Sequence, residues 1–414
     1  MRVREGYKQT EVDGIPEGWG QFLLGDLFSF KNGLNKEKEF FGYGTPIVNY
    51  MDVFSHPVIR TSNLEGRVCL SKQEIKNFDV RMGDVFFTRT SETTDEIGMA
   101  SVMLDEPTDT VFSGFLLRAR PLNQLLDDGF KAYCFRSHLV RKQIISKASY
   151  TTRALTNGGI LSQVLIATPP ILEQRAIATA LSDVDALLAA QDNLIAKKRD
   201  IKQAAMQQLL TGKERLPGFT GEWVVKRLGD VAEMGSGGTP PSSVPAYYDG
   251  DIPWVSISDM TNGGKVILRT DRNLSHLGFS NSAAQMFSVG TVLYAMYASL
   301  GECSIAGISL CTSQAILGIR PKENLNKDFL YYYLTSLKNT VKSMGQQGTQ
   351  ANLNKGMVQA FQFRLPPLAE QTAIATILAD MDASLITLEQ QRDKTHAIKQ
   401  GMMQELLTGR IRLV

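Results

Sequence analysis

Four histidines, four cysteines and one glycine-rich turn are the first places to look for chemistry in this 414-residue sequence. His56, His138, His276 and His396 stand apart, outside any metal-binding or catalytic-triad spacing. Cys69, Cys134, Cys303 and Cys311 form no CxxC pair, so they read as reduced, inert thiols rather than ligands or a disulfide framework. Ser236-Gly237-Gly238-Thr239-Pro240 is glycine-rich, but it lacks the Lys-Ser/Thr of a P-loop and the spacing of a dinucleotide turn. The pairs Pro169-Pro170 and Pro366-Pro367 follow no acidic or amide residue, unlike the Asn-Pro-Pro-Tyr type of motif used by amino-methyltransferases. No self-contained catalytic centre is legible.

A different chemistry is written in two loops. Arg136, Arg141, Lys142, Lys147 and Arg153 cluster around Tyr150, Thr151 and Thr152. Basic and hydroxyl side chains position phosphates, and Arg, Asn and Gln read base edges. A second loop, Gln346-Gln347-Gly348-Thr349-Gln350-Ala351-Asn352, offers amides in place of arginine, with Gln347, Thr349, Gln350 and Asn352 as candidates. A solvated surface loop is the alternative for both. The net charge of +2 leaves any basic footprint to such local clusters.

The elements that must carry these loops are repeated. Pro169-Pro170-Ile171-Leu172-Glu173-Gln174 opens a stretch ending at Gly212, and Pro366-Pro367-Leu368-Ala369-Glu370-Gln371 opens a second ending at Gly409. The offset is 366 − 169 = 197 and also 409 − 212 = 197, with no gap between. Such a period is too long for a solenoid unit and describes a duplicated domain-plus-helix cassette. Ile177, Leu181, Val184, Leu188, Gln191 and Ile195 alternate steps of four and three, as do Ile374, Leu378, Met381, Leu385 and Leu388. That is a coiled-coil seam. Lys198, Lys202, Arg392 and Thr395 interrupt it, so the seam is expected to drift onto Ile201/Ala205 and Ile398/Met402. Glycine at 212 and 409 supplies the left-handed stop. Helices of about forty residues reach ~60 Å, and an antiparallel pair would put one globular domain at each end. Two surface helices packed separately on their own domains are the alternative.

Between the helices the chain mixes short β-like runs, such as Val85-Phe86-Phe87-Thr88, with turn residues. The two halves echo each other more faintly here. Trp19 and Leu24-Gly25-Asp26 match Trp223 and Leu228-Gly229-Asp230, Gly83-Asp84-Val85 matches Gly290-Thr291-Val292, and Arg120-Pro121 matches Arg320-Pro321. The expectation is an α+β fold with an internal pseudo-two-fold repeat. Its parts are an N-terminal arm (1–14), a globular α/β domain (15–168), a central long helix (169–212), a second globular α/β domain (213–365), and a C-terminal long helix with tail (366–414). The two long helices run antiparallel as a coiled coil. An apolar fraction of 43% and a charged fraction of 21% describe a soluble globular protein. No apolar run approaches the ~18 residues of a spanning helix. No signal segment follows Met1-Arg2-Val3-Arg4-Glu5, so a cytoplasmic location without membrane association is expected.

The motifs together resemble the specificity (S, HsdS) subunits of type I restriction-modification systems. The resemblance rests on the two Pro-Pro-x-x-Glu-Gln openings, on Gln-Leu-Leu-Thr-Gly-Lys-x-Arg-Leu-Pro-Gly-Phe at 208–219, and on Gly250-Asp251-Ile252-Pro253-Trp254-Val255. It covers nearly the whole chain. The first half departs from it, with Asn32-Gly33-Leu34-Asn35 where the second has Gly237-Gly238-Thr239-Pro240. The resemblance implies two target recognition domains, each reading half of a split, asymmetric site in double-stranded DNA, with the paired helices as a ruler. It implies two modification (methyltransferase) subunits as partners, joined by restriction subunits. S-adenosylmethionine, ATP and Mg are then expected on those partners, with no cofactor, metal or catalytic residue in this chain. Two equal partners need two equal docking surfaces, for which Gln174, Lys202 and Gln203 with Gln371, Lys399 and Gln400 are candidates. A self-sufficient DNA methyltransferase or nuclease, or a coiled-coil scaffold without DNA, is the competing reading.

Overall fold

The structure is a computed structural model that describes residues 6–9, 14–150, 152–345 and 352–414. Two compact units divide the chain: residues 1–192 with 391–414, and residues 193–390. Each globular domain thus takes half of each long helix into its own unit, where the sequence pattern had marked the helices as separate segments.

In the first unit a five-stranded sheet runs in the order Phe28–Asn32, Leu116–Pro121, Val85–Thr88, Ala100–Met103, Val58–Ile59. All neighbours are antiparallel except the last pair. The central run is apolar at successive positions because both faces are covered: Val85 and Phe87 enter one core, Phe86 another. The second unit repeats the order with Ala232–Ser236, Ile316–Pro321, Val292–Ala295, Cys303–Ala306 and Val266–Ile267. Val292 and Tyr294 face one core there, Leu293 and Ala295 the other. Helices Asp128–Cys134 and Lys327–Ser336 pack beside these sheets. Their N-termini are capped by Asp127 and Asn326, whose side chains accept from the backbone amides two and three residues on.

The long helices span Ile171–Leu209 and Leu368–Leu406, 39 residues each, or about 58 Å of rise. They start on proline carbonyls: Gln174 N donates to Pro170 at 3.0 Å and Gln371 N to Pro367 at 3.1 Å. They stop at Gly212 (φ +70°) and Gly409 (φ +69°). A side chain at 409 would strike Pro16 at 2.4 Å as well as being strained.

The seam is formed as the spacing predicts at Ile177, Leu181, Ile195, Ile374, Leu378 and Leu385, all buried. Within the first unit Asp185 pairs with Lys399 and Gln191 Nε2 donates to Thr395 Oγ1 at 3.2 Å, an antiparallel register. Within the second, Arg199 pairs with Glu389 and Lys202 with Asp382, again antiparallel. The expected drift occurs in part: Ala205 and Met402 are half-buried against the two cores, but Ile201 and Ile398 are 46% and 51% exposed. Lys202 and Lys399 hold the register instead: each ammonium meets an aspartate while lying over the ring of Tyr332 or Tyr133. Leucines 209, 210, 406 and 407 then resume burial.

Candidate nucleic-acid interface

The residues that follow the two candidate loops, Thr156 and Leu353, are tied to equivalent points of the two sheets. Thr156 N donates to Arg89 O at 3.0 Å in the first unit, and Leu353 N to Met296 O at 3.1 Å in the second. Arg89 and Met296 each follow the central strand of their sheet. In the first unit the loop is a small hairpin, Ser149–Tyr150 against Ala154–Leu155, whose second strand pairs with Thr90–Ser91. Thr152 and Arg153 are exposed on it, Tyr150 is 60% exposed, and Lys147, also exposed, ends the helix His138–Lys147 before it. Arg153 lines a surface hollow with Tyr50, Met51, Glu92, Glu96 and Phe115. The hollow mixes one guanidinium, two carboxylates and apolar rings. Guanidinium reads guanine, carboxylate accepts from a base amino group, and apolar groups meet the thymine methyl. The mixture suits base edges better than a phosphate track, which is built from donors and repelled by carboxylates. Thr151, Gln347, Thr349 and Gln350 lie outside the described residues, while Asn352 is described and exposed.

Two arginines of the sequence cluster have another job. Arg136 Nε donates to Ala100 O at 2.7 Å, and its Nη2 reaches the carbonyls of Val53 and His56, both at 2.8 Å. Burial pushes its pKa down to about 10. Arg141 donates to the carbonyls of Ile97 and Asp95, holding the loop beside Glu92 and Glu96 in place. Both act as internal props: Arg136 through Nε and Nη2, and Arg141 through Nη1 and Nη2, hold backbone carbonyls of their own domain where the sequence cluster had suggested phosphate contacts.

The repeated helix openings also turn inward. Gln174 and Gln371 are buried, not exposed. Gln174 accepts from Asp127 N at 2.8 Å and donates to the carbonyls of Leu125 and Pro169. Gln371 does the same with Asn326, Asn324 and Pro366. Each glutamine thereby fastens its long helix to the start of a shorter one. Lys202 and Lys399 are likewise engaged in the aspartate pairs described above. Those aspartates also accept from Tyr332 and Tyr133, at 2.7 and 2.9 Å. Gln203 and Gln400 are exposed.

The neighbouring glutamate is a centre the sequence pattern did not single out. Glu173 is fully buried and accepts from Trp19 Nε1 at 3.0 Å and from Arg412 Nε and Nη2 at 2.5 and 2.8 Å. In the second unit Glu370 accepts from Trp223 Nε1 at 3.0 Å and from Arg215 Nε and Nη2 at 2.5 and 2.7 Å. The signal was present: Thr-Gly-x-x-Arg recurs at 211–215 and 408–412 with the helices' own offset. These bonds raise both arginine pKa values.

Cys134, Cys303 and Cys311 are buried, and burial raises all three thiols, Cys311 to about 11. Among the described residues no group of three or more His, Cys, Asp or Glu could hold a metal ion, and no helix is long and apolar enough to cross a membrane.

The family model described as type I restriction modification DNA specificity domain matches residues 16–197 and 220–396. A putative type I restriction enzyme MjaX specificity subunit of Methanocaldococcus jannaschii is 25% identical, over 99% of this chain and 97% of its own length. The EcoKI specificity subunit of Escherichia coli K12 is 23% identical over 96% and 89%. Among solved structures, the type I restriction-modification S subunit from M. genitalium has a TM-score of 0.57 at 16% identity, covering 98% of both chains. A chain from a study of complex assembly and conformational transition of the type I R-M system gives 0.62 at 20% identity, covering 96% of this chain and 99% of that one.

Proposed function

The chain belongs to the type I restriction modification DNA specificity family, and on that premise we propose that each of its globular domains reads one half of a bipartite, asymmetric site in double-stranded DNA. The observation that carries this reading is that Thr156 and Leu353, the residues after the two loops, are anchored alike on Arg89 and Met296 while the loop sequences before them differ. Equal anchorage gives both domains the same approach to a groove, and unequal side chains give two different half-sites. The long helices fix the gap between the halves.

The chain acts as a guide without catalytic residues of its own. Two modification subunits supply adenine methylation with S-adenosylmethionine, and restriction subunits with ATP and Mg supply cleavage, all in the cytoplasm. The modification subunits dock on helix faces that are identical and exposed in both copies. Thr179/Thr376, Asp183/Asp380, Gln203/Gln400 and Gln207/Gln404 meet that description.

Exchanging residues 15–168 for those of a relative should change one half of the recognised site and leave the other untouched, as read by mapping methylated adenines. A change in both halves, or in neither, would refute the division of labour. At single-residue scale, Arg153→Ala should weaken the assembled complex on its own site by about 1–3 kcal/mol and relax the choice at one base pair. Competition binding over all single-base variants of the site checks this; undiminished discrimination removes Arg153 from the reading surface.

A further inference from the structure

Two arginines at equivalent places, Arg120 and Arg320, live in opposite surroundings. Each lies on the strand Leu116–Pro121 or Ile316–Pro321, directly before the proline. In the first unit Arg120 is saturated. Its Nε and Nη2 reach the two oxygens of Asp84 at 2.8 and 2.7 Å, and Nη1 reaches Asp79 at 3.2 Å. Asp84 is 1% exposed, so this unit seats a carboxylate of its own inside the domain.

Counted from the turn glycines Gly83 and Gly290, the place of Asp84 is taken by Thr291 and that of Asp79 by Met286. The carboxylates are gone, and the arginine has stayed. Arg320 Nη2 donates to Met286 O at 3.0 Å and its guanidinium lies 5.5 Å over the ring of Phe287. Its Nε is buried with no partner among the described residues, and so is Thr291 Oγ1, on a residue 1% exposed. Both residues line one open pocket with Ser288, Gly290 and Lys327. The rim has changed sign as well, because Lys327 stands where the first unit has Asp128, each directly after its helix cap. Lys327 Nζ touches Asp328 at 2.7 Å and is half exposed.

Buried donors without acceptors are destabilising, and a guanidinium edge beside a hydroxyl matches an anion with two coplanar oxygens. We propose that this pocket of the second unit is an oxyanion site, taking a small carboxylate or phosphate from solution where the first unit seats Asp84. Arg320 Nε and Thr291 Oγ1 donate to the bound anion, and Lys327 adds charge at the rim. The pocket is distinct from the DNA-reading loop. Thr291 precedes the strand Val292–Ala295, whereas Leu353, which follows that loop in sequence, is tied to Met296 beyond the strand's other end.

The test compares the full-length protein in acetate, in phosphate and in chloride at matched ionic strength. A saturable rise in Tm with acetate or phosphate, beyond that in chloride, is expected, with one site by titration calorimetry. Thr291→Asp rebuilds the first unit's arrangement. It should bind the oxyanion at least about tenfold more weakly, consistent with loss of charge-assisted bonds, and melt higher than the parent in chloride. Thr291→Val removes only the hydroxyl and should weaken binding several-fold; it decides the matter if the aspartate variant does not fold. Response to acetate alone marks a carboxylate site, and response to phosphate alone a phosphate site. A rise in chloride as large as in the oxyanions, or an undiminished response in the tested variant, overturns the proposal.

Discussion

Replacing Glu173 with alanine lowers stability by about 3 kcal/mol, at the lower edge of what breaking a buried ion pair costs. Three donors converge on that carboxylate, and they differ in what they lose. Trp19 is 1% exposed, so its indole N–H is left without an acceptor and without water. Arg412 keeps 38% of its side chain in solvent and can rehydrate, which holds the figure near 3 rather than 5. Glu173→Gln retains an acceptor for Trp19 and should cost less than half as much. Arg412→Ala leaves the buried Glu173 carboxylate without its cationic partner, so it should cost at least as much as Glu173→Ala. Thermal melts read this as a drop of roughly 6–12 °C for the alanine variant. A drop within 2 °C would mean that the clasp is incidental to the fold.

Lengthening one long helix alone by four residues after Gln191 should abolish function. Lengthening both together should restore it with a wider gap. The argument rests on matched spacing. Asp185 and Lys202 are 202 − 185 = 17 residues apart on the first long helix, and their partners Lys399 and Asp382 are 399 − 382 = 17 apart on the second. Four added residues move everything beyond them by ~6 Å and rotate it by ~40°. With only one helix lengthened, either the Asp185–Lys399 or the Lys202–Asp382 pair must part, together with the buried leucines around it. A matching insertion after Leu388 returns both pairs. The recognised halves should then lie about two base pairs further apart, at 3.4 Å per step. Methylation mapping gives the gap directly. Full activity at an unchanged gap in the single-insertion protein would mean that the helices measure nothing.

Periodicity carried the long helices, because an apolar stripe has to be written in the residues that bury it. Val85-Phe86-Phe87-Thr88 was legible as a strand on other grounds, as a short apolar run between turn residues. What periodicity could not carry were polar side chains whose partners are far away in sequence. Glu173 and Arg412 are 239 residues apart, so nothing local couples them. Arg136 and Arg141 were read for their charge, which is the same whether the guanidinium faces a phosphate or a row of backbone carbonyls. Lys202 was read as a break in the seam and, with Lys399, as part of a docking surface, although a lysine stem laid over a tyrosine ring, with its ammonium on an aspartate, fits inside a seam. Identity between the two copies was read as shared outward contact. At Gln174 and Gln371 it records shared inward contact.

The division of the chain into units sets an order of events during synthesis. Residues 193–390 form the second unit without interruption, whereas the first unit needs residues 391–414 as well as 1–192. At ribosomal speeds of ~5–20 residues per second, the 414 − 192 = 222 residues after Asp192 take roughly 10–45 s to make. Throughout that interval Glu173 lacks Arg412, Asp185 lacks Lys399, and the core around Ile177 and Leu181 lacks Leu406 and Leu407. The domain that is translated first is therefore the last to be completed.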